Sequence, residues 1–167
     1  MEVRPVPCDD TPHADEPALP YARRIAEAKL RAALAAIEGR RILAADTVVW
    51  LDADAAPLGK PTDANACRAM LESIGGPDGH QVTTAWALGS QEGDIEVHAE
   101  TTRVWFRPRS PAEVETYLQT DAWRDKAGGY GIQAEAASWV TRLEGSYTNV
   151  VGLPVAQVVA RLQELAR

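Results

Sequence analysis

With 167 residues, 46% of them apolar and 25% charged, the chain has the size and balance of one globular domain able to enclose a core. A formal net charge of −7 without a Lys/Arg cluster disfavours a nucleic acid polymer as partner, although a local pocket can still hold a small anion. No apolar run approaches the roughly 20 residues that span a bilayer and no signal peptide is evident, so the sequence predicts a cytoplasmic protein without a membrane partner.

Val3 and Val6 alternate as in a short strand. A proline-rich loop follows from Pro7 to Pro20, carrying Asp9, Asp10, Asp15 and Glu16, and its prolines bar a helix or central strand. Pro20 suits a first helical position. Tyr21, Ile25, Ala28, Ala32 and Ala35 then recur at steps of four and three, predicting one face of a helix that ends near Gly39. Arg41–Leu51, rich in Val and Ile, reads as a strand that turns through Asp52–Gly59. Thr62 or Asp63 caps a helix with the face Ala66, Met70 and Ile74, closed by Gly75-Gly76.

Gln81–Leu88 predicts a strand, Gly89–Gly93 a turn, and Ile95–Arg107 a long strand whose alternation implies one buried and one open face. Ser110-Pro-Ala-Glu113 has the form of a capping box, with Val114, Tyr117 and Leu118 on one face of its helix. Ser138–Leu143 is a short strand. The last helix runs from Pro154 to about Leu165 with Val155, Val158, Val159, Leu162 and Leu165 facing inward. Strands alternating with helices around a hairpin-like middle predict an α/β fold with a mixed twisted sheet flanked by helices.

Three stretches carry chemistry. In Ile42–Pro61, Asp46 and Thr47 sit inside an apolar run, and Lys60 follows Asp46 by fourteen positions between a glycine and a proline. A buried carboxylate is costly unless a cation compensates it, so a hairpin bringing Asp46 and Lys60 to one mouth would make a site for phosphoanhydride chemistry. The plainer alternative is a strand-end Asp and a solvated Lys. In Asp125–Gln133 three glycines lie in four positions, with Lys126 before them and Gln133 after; such a turn can cradle phosphate or be a simple loop. In Gly145–Pro154, Ser146 and Asn149 read as turn formers. Cys8 and Cys67 form no CxxC, and His13, His80 and His98 are scattered, which signals neither zinc nor a disulfide framework.

Together AADTVV (44–49), LGKP (58–61), RDKAGGYGIQ (124–133) and EGSYTNVVGLP (144–154) resemble, in order and spacing, the Maf family of nucleoside triphosphate pyrophosphatases. The helix Tyr21–Ala33 with Lys29, the Ser110–Tyr117 helix start and the C-terminal helix fall in the same order, so the resemblance covers the whole chain as one Maf-like domain, 1–167. It implies a fold shared with inosine-triphosphate-pyrophosphatase-like proteins, two lobes around a cleft. It also implies metal-dependent hydrolysis of a nucleoside triphosphate to the monophosphate and pyrophosphate. Asp46 would be the catalytic acid, as water-activating base or metal ligand, with Mg²⁺ or Mn²⁺ as cofactor and Asp10 as a further metal ligand. Lys60 and Lys126 would contact the phosphates. Thr47 and Gln133 resemble the branch acting on dTTP and UTP, whereas the branch acting on 7-methylguanosine triphosphate differs there. The resemblance is also compatible with a homodimer.

The sequence departs from the family pattern at its start, where the S-x-S-P-R-R turn, its strand and its first helix are missing. An upstream start or a truncated paralogue is the expectation that follows. Asp9-Asp10 replaces an Asp-Glu pair, Ala134 a glycine, and Ala122-Trp123 a Glu-Pro. The competing function is a catalytically weak member that binds nucleotide or protein in cell division or septum control.

Overall fold

The computed structural model describes residues 2–52 and 55–167. In it, helix α1 (Ala18–Ala36) lies across one face of a four-stranded sheet. Pro17 occupies the helix N-cap, and the helix begins two residues before Pro20; both prolines are tolerated because the first-turn N–H groups have no helical partner anyway. Its buried side is Ala18, Tyr21, Ala22, Ile25, Ala26, Leu30 and Ala33, while Ala28, Ala32 and Ala35 of the expected stripe stand outside that set. The alanines let α1 approach Ala85, Ala87 and Ala99 of the sheet closely.

The strands are β1 (Ile42–Trp50), β2 (His80–Gly89), β3 (Glu96–Phe106) and β4 (Val140–Glu144), in spatial order β1-β2-β3-β4. Every pairing among them is antiparallel. The α/β class with helices flanking the sheet holds, but the mixed pairing expected from sequence is corrected for the described residues. Helix α2 (Ala64–Ser73) does not complete a crossover to a parallel neighbour. The chain instead re-enters directly beside β1, running the opposite way, and β2–β3 follows as a hairpin. Val3 and Val6 lie in no strand, since Pro5 and Pro7 remove N–H donors on either side of Val6. Ala53 and Asp54, inside the expected Asp52–Gly59 turn, fall outside the described residues.

Side-chain alternation divides the core. Ala44, Val48 and Trp50 of β1 face α1, whereas Leu43, Ala45 and Val49 face the opposite side. That opposite side has a larger cluster under α2, helix α3 (Pro111–Leu118) and the 3₁₀ turns Ala127–Gly129 and Glu135–Trp139. A smaller one, Trp86, Leu88 and Val158, lies under α5 (Val155–Glu164). The short α4 (Tyr147–Val151) sits between them against β2 and β3.

Asp63 caps α2 by accepting the Ala66 N–H at 2.9 Å. The buried residues are Cys67 and Leu71, with Ile74 at the C-cap, one position on from the expected Ala66 and Met70, because Cys67 is held against the carbonyl of Gly129. The α3 capping box is complete in both directions. Helix α5 also differs from expectation: Val158 is buried, but Val155, Val159 and Leu162 are 44%, 44% and 37% exposed. It meets the sheet along a narrow line, and Arg161 fixes its rotation through paired hydrogen bonds to Glu96 at 2.7 and 2.6 Å.

His80 is fully buried, stacked edge-on against Phe106 and Tyr130. Its Nδ1 lies 3.2 Å from the Ile74 carbonyl, which can only accept, so Nδ1 carries the proton and Nε2 accepts from Tyr130 OH at 2.7 Å. Burial pulls the His80 pKa down to about 4. The unfolded chain therefore takes up a proton below about pH 6.5 that the native state refuses until about pH 4, so this contribution is complete above 6.5 and is lost as pH falls through that window. Urea unfolding is expected to show a stability loss of about 3 kcal/mol attributable to this residue between those limits, a slope absent in His80→Gln. Glu16 and Glu96, held near 2 by hydrogen bonds from Arg24 and Arg161, act in the separate window below 4.5.

Candidate active site

A cleft of about 290 Å³ opens between the face of β1–β2 turned away from α1 and the glycine-rich segment that follows α3. Thr47, Lys60, Lys126 and Gln133 all line it, with Val150 and Val151 of α4 forming its apolar wall. Residues as far apart in sequence as Thr47 and Val151 are thus brought together.

Local geometry explains the convergence. After β1 the chain folds back so that Leu58 N–H reaches Val49 C=O at 2.7 Å, which delivers Lys60 beside the end of the strand. Gly128 N–H donates to Gly59 C=O at 3.1 Å, tying the LGKP turn to the glycine segment and holding the two lysine-bearing backbones side by side. Gly128 and Gly129 have φ of 67° and 77°, a region that disfavours residues with a Cβ. A Cβ on Gly128 would stand 3.1 Å from Val49 Cγ1, and one on Gly129 only 2.8 Å from Cys67 Sγ.

The segment is also pinned from beneath. Tyr117 OH donates to Gly129 C=O at 3.2 Å, and Tyr130 OH donates to His80. Desolvation raises the pKa of both phenols well above the ordinary tyrosine value and that of Cys67 to about 11, so these groups remain protonated and structural.

Asp46 is elsewhere. As an even-numbered β1 residue it points to the α1 face, where Lys29 Nζ lies 2.6 Å from its Oδ1. The expected hairpin does bring Lys60 back to β1, but period-two alternation places it with Thr47, not with Asp46, which does not line the cleft. Among the described residues β1 lies at one edge of the sheet, and the two groups sit on its opposite faces.

Asp10, in the exposed N-terminal loop, accepts Tyr21 OH through its backbone carbonyl at 2.6 Å. The Tyr21 pKa is pushed up to about 12, first by burial and then by the charges of Asp46 and Asp10, so both carboxylates act on the same phenol at the α1 face. Among the described residues no three His, Cys, Asp or Glu side chains form a metal cage. One or two carboxylates completed by phosphate oxygens and water is nevertheless the ordinary donor set for Mg²⁺, and Asp46 with Asp10 fits that description.

The residue-level reading missed Lys29 as a site residue. A signal was present: only three of the 17 basic residues are lysines, Lys29, Lys60 and Lys126, and fourteen (17 − 3) are arginines. Two of these lysines line the cleft and the third pairs with Asp46. Also missed were Thr84 and the reach of Asn149. Ser146 does shape a turn, its Oγ accepting Asn149 N–H at 3.3 Å, but Asn149 is fully buried and docks α4 onto β2 through its side chain.

The fold and its cleft define a class: an α/β protein with a lysine-lined cleft on one face of β1 and a carboxylate–lysine pair on the other. The Maf family profile, described as Maf-like protein, matches residues 1–165. A protein of Rhodospirillum rubrum named dTTP/UTP pyrophosphatase is 42% identical over 160 residues, covering 96% of this chain and 75% of that protein. One of the same name from Citrifermentans bemidjiense is 41% identical over 167 residues, covering 98% and 84%. Another from Pyrococcus furiosus is 47% identical over 124 residues, covering 74% and 63%. The chain belongs to the Maf family.

Gly129→Ala is expected to lower unfolding stability by about 2 kcal/mol through the left-handed φ and the contact with Cys67. Cys67→Ala should relieve only the contact part, so a double-mutant cycle by urea denaturation is expected to be non-additive.

Proposed function

We propose that the protein hydrolyses dTTP and UTP to the nucleoside monophosphate and pyrophosphate. The observation that carries this reading is the convergence of Thr47, Lys60, Lys126 and Gln133 on one cleft, with the Lys29–Asp46 pair across the same edge strand. The names of the relatives at 41–42% identity over nearly the whole chain support the same substrates.

The reaction adds water to the α-phosphorus and breaks the α–β anhydride bond, with pyrophosphate leaving. Lys60 and Lys126 place two ammonium charges at the cleft, where they bind the phosphates and stabilise negative charge on the leaving group. Asp46 orients or deprotonates the attacking water, or would serve as a metal ligand. Lys29 fixes the direction of its carboxylate by a 2.6 Å hydrogen bond. Asp46 and Asp10 would hold Mg²⁺ or Mn²⁺, which neutralises triphosphate charge when bound. Gln133 offers one amide donor and one acceptor to the O4 and N3–H edge of a pyrimidine.

With Mn²⁺ present, pyrophosphate release from UTP and dTTP is expected to exceed release from GTP. Asp46→Asn should lower kcat at least about a hundredfold. Gln133→Ala should narrow the UTP-to-GTP preference. A folded, monodisperse sample that releases no pyrophosphate, or an Asp46→Asn variant at full rate, would remove the proposal and favour a nucleotide-binding role.

A further inference from the structure

The segment Asp9–Glu16 has no helix or strand of its own, and side chains of α1 hold it in place. Tyr21 and Arg24 make the contacts, three positions apart and so on one side of the helix. Tyr21 OH donates to Asp10 C=O at 2.6 Å, and Arg24 Nη2 donates to Thr11 C=O at 3.1 Å. Two consecutive carbonyls are thus pinned from one helix, which sets the direction of the backbone leaving Asp10. The same guanidinium clips the far end of the segment. Arg24 Nε donates to Glu16 Oε1 at 2.7 Å and Nη2 to Glu16 Oε2 at 2.6 Å, a two-pronged pair that a lysine could not make. Glu16 Oε2 also accepts His13 N–H at 3.1 Å, closing a turn in which Asp15 has a left-handed φ of 55°. With side chains 11% and 31% exposed, Glu16 and Arg24 are less solvated than an ordinary surface pair.

The two adjacent aspartates are used differently. Asp9 Oδ1 accepts Thr11 N–H at 3.0 Å and so serves the turn. Asp10 is exposed, and among the described residues no hydrogen bond or ion pair engages its carboxylate, although its backbone carbonyl is held. Its charge and that of Asp46 act on the same Tyr21 phenol, so it stands on the α1 face with the Lys29–Asp46 pair.

We propose that Arg24 and Glu16 form a latch that holds the acidic loop on α1 and presents the Asp10 carboxylate, beside Asp46, to a divalent cation. This rests on the proposed metal-assisted hydrolysis and deepens it. Arg24 and Glu16 are positioning residues, since they act through Asp10. A carboxylate on a released loop would have to be ordered when the cation binds; the latch makes that ordering part of folding. A guanidinium near a cation site would ordinarily repel the ion. Here its charge is matched by Glu16, so the latch adds order without adding net positive charge.

The test measures binding of Mn²⁺ alone, by loss of its free electron-spin-resonance signal, and amide hydrogen exchange over Asp9–Glu16 without metal. Arg24→Ala is expected to speed exchange across the loop and to weaken Mn²⁺ binding about tenfold. Arg24→Lys, which keeps the charge but not the fork, should fall between Arg24→Ala and the wild type. Glu16→Gln lies outside α1, so it does not threaten the helix, and it should move both readouts in the same direction as Arg24→Ala. Asp10→Asn should weaken Mn²⁺ binding without loosening the loop, and adding Arg24→Ala to it should weaken binding no further. An arginine with only a structural role would cause equal losses in both backgrounds. Unchanged exchange or unchanged Mn²⁺ affinity in folded Arg24→Ala or Glu16→Gln overturns the latch. So do unchanged affinity in Asp10→Asn, an additive double variant, or a wild-type protein that binds no Mn²⁺. The full pattern in a protein that releases no pyrophosphate from UTP would support the latch and overturn only the hydrolytic reading.

Discussion

Every side chain on an extended strand must point to one face or the other, and this constraint on β1 organises the site. Adjacent residues Asp46 and Thr47 are sent to opposite sides of the sheet, one toward α1 and Lys29, the other toward the cleft. A register slip by one residue would exchange them and turn Val48 and Val49 away from their two cores as well, so the packing of the sheet also fixes the chemistry. Among the described residues β1 lies at the edge of the sheet, and the LGKP turn folds back against its outer side at Val49, so that Lys60 is delivered beside the strand whose two faces carry Asp46 and Thr47.

The second layer of organisation is the contrast between the lysines and what holds them. Lys60 and Lys126 end in flexible ammonium groups, but their backbones are joined by the Gly59–Gly128 hydrogen bond and supported by Tyr117, Cys67 and the His80–Tyr130 pair. The cost of ordering the segment is thereby met during folding, before any ligand arrives. Burial serves this directly: a neutral His80 with one fixed tautomer can accept the Tyr130 proton, whereas a protonated ring could not.

Much of this was legible in the sequence. The strand around Asp46, the α3 capping box, the Asp63 cap and the glycine segment are local signals, each set by a few neighbouring residues. The helix faces of α2 and α5 were less legible because periodicity names several possible stripes, and tertiary contacts choose among them: Cys67 against Gly129 for α2, Arg161 with Glu96 for α5. The position of Asp46 relative to the cleft follows from counting in twos, a step the attraction between Asp46 and Lys60 in sequence obscured. The docking of Asn149 lay beyond sequence reading altogether, since it depends on the β2–β3 register that sets Val82 beside Thr102 and on α4 settling over both strands.

The basic residues show the division of labour most plainly. Arginines supply the framework: Arg24 with Glu16, Arg161 with Glu96, Arg107 with Glu113, and Arg109 over Phe106 and Trp139 while donating to Leu71 C=O. A planar guanidinium with several fixed donors suits such permanent, geometrically defined pairs. An ammonium is a compact charge on a rotatable stem, able to follow a phosphate group that moves as bonds break. In a chain that uses arginine for almost every other positive charge, lysine occurs only beside Asp46 and in the cleft. On the proposed function, the choice of cation follows where the structure must stay fixed and where it must accommodate a changing anion.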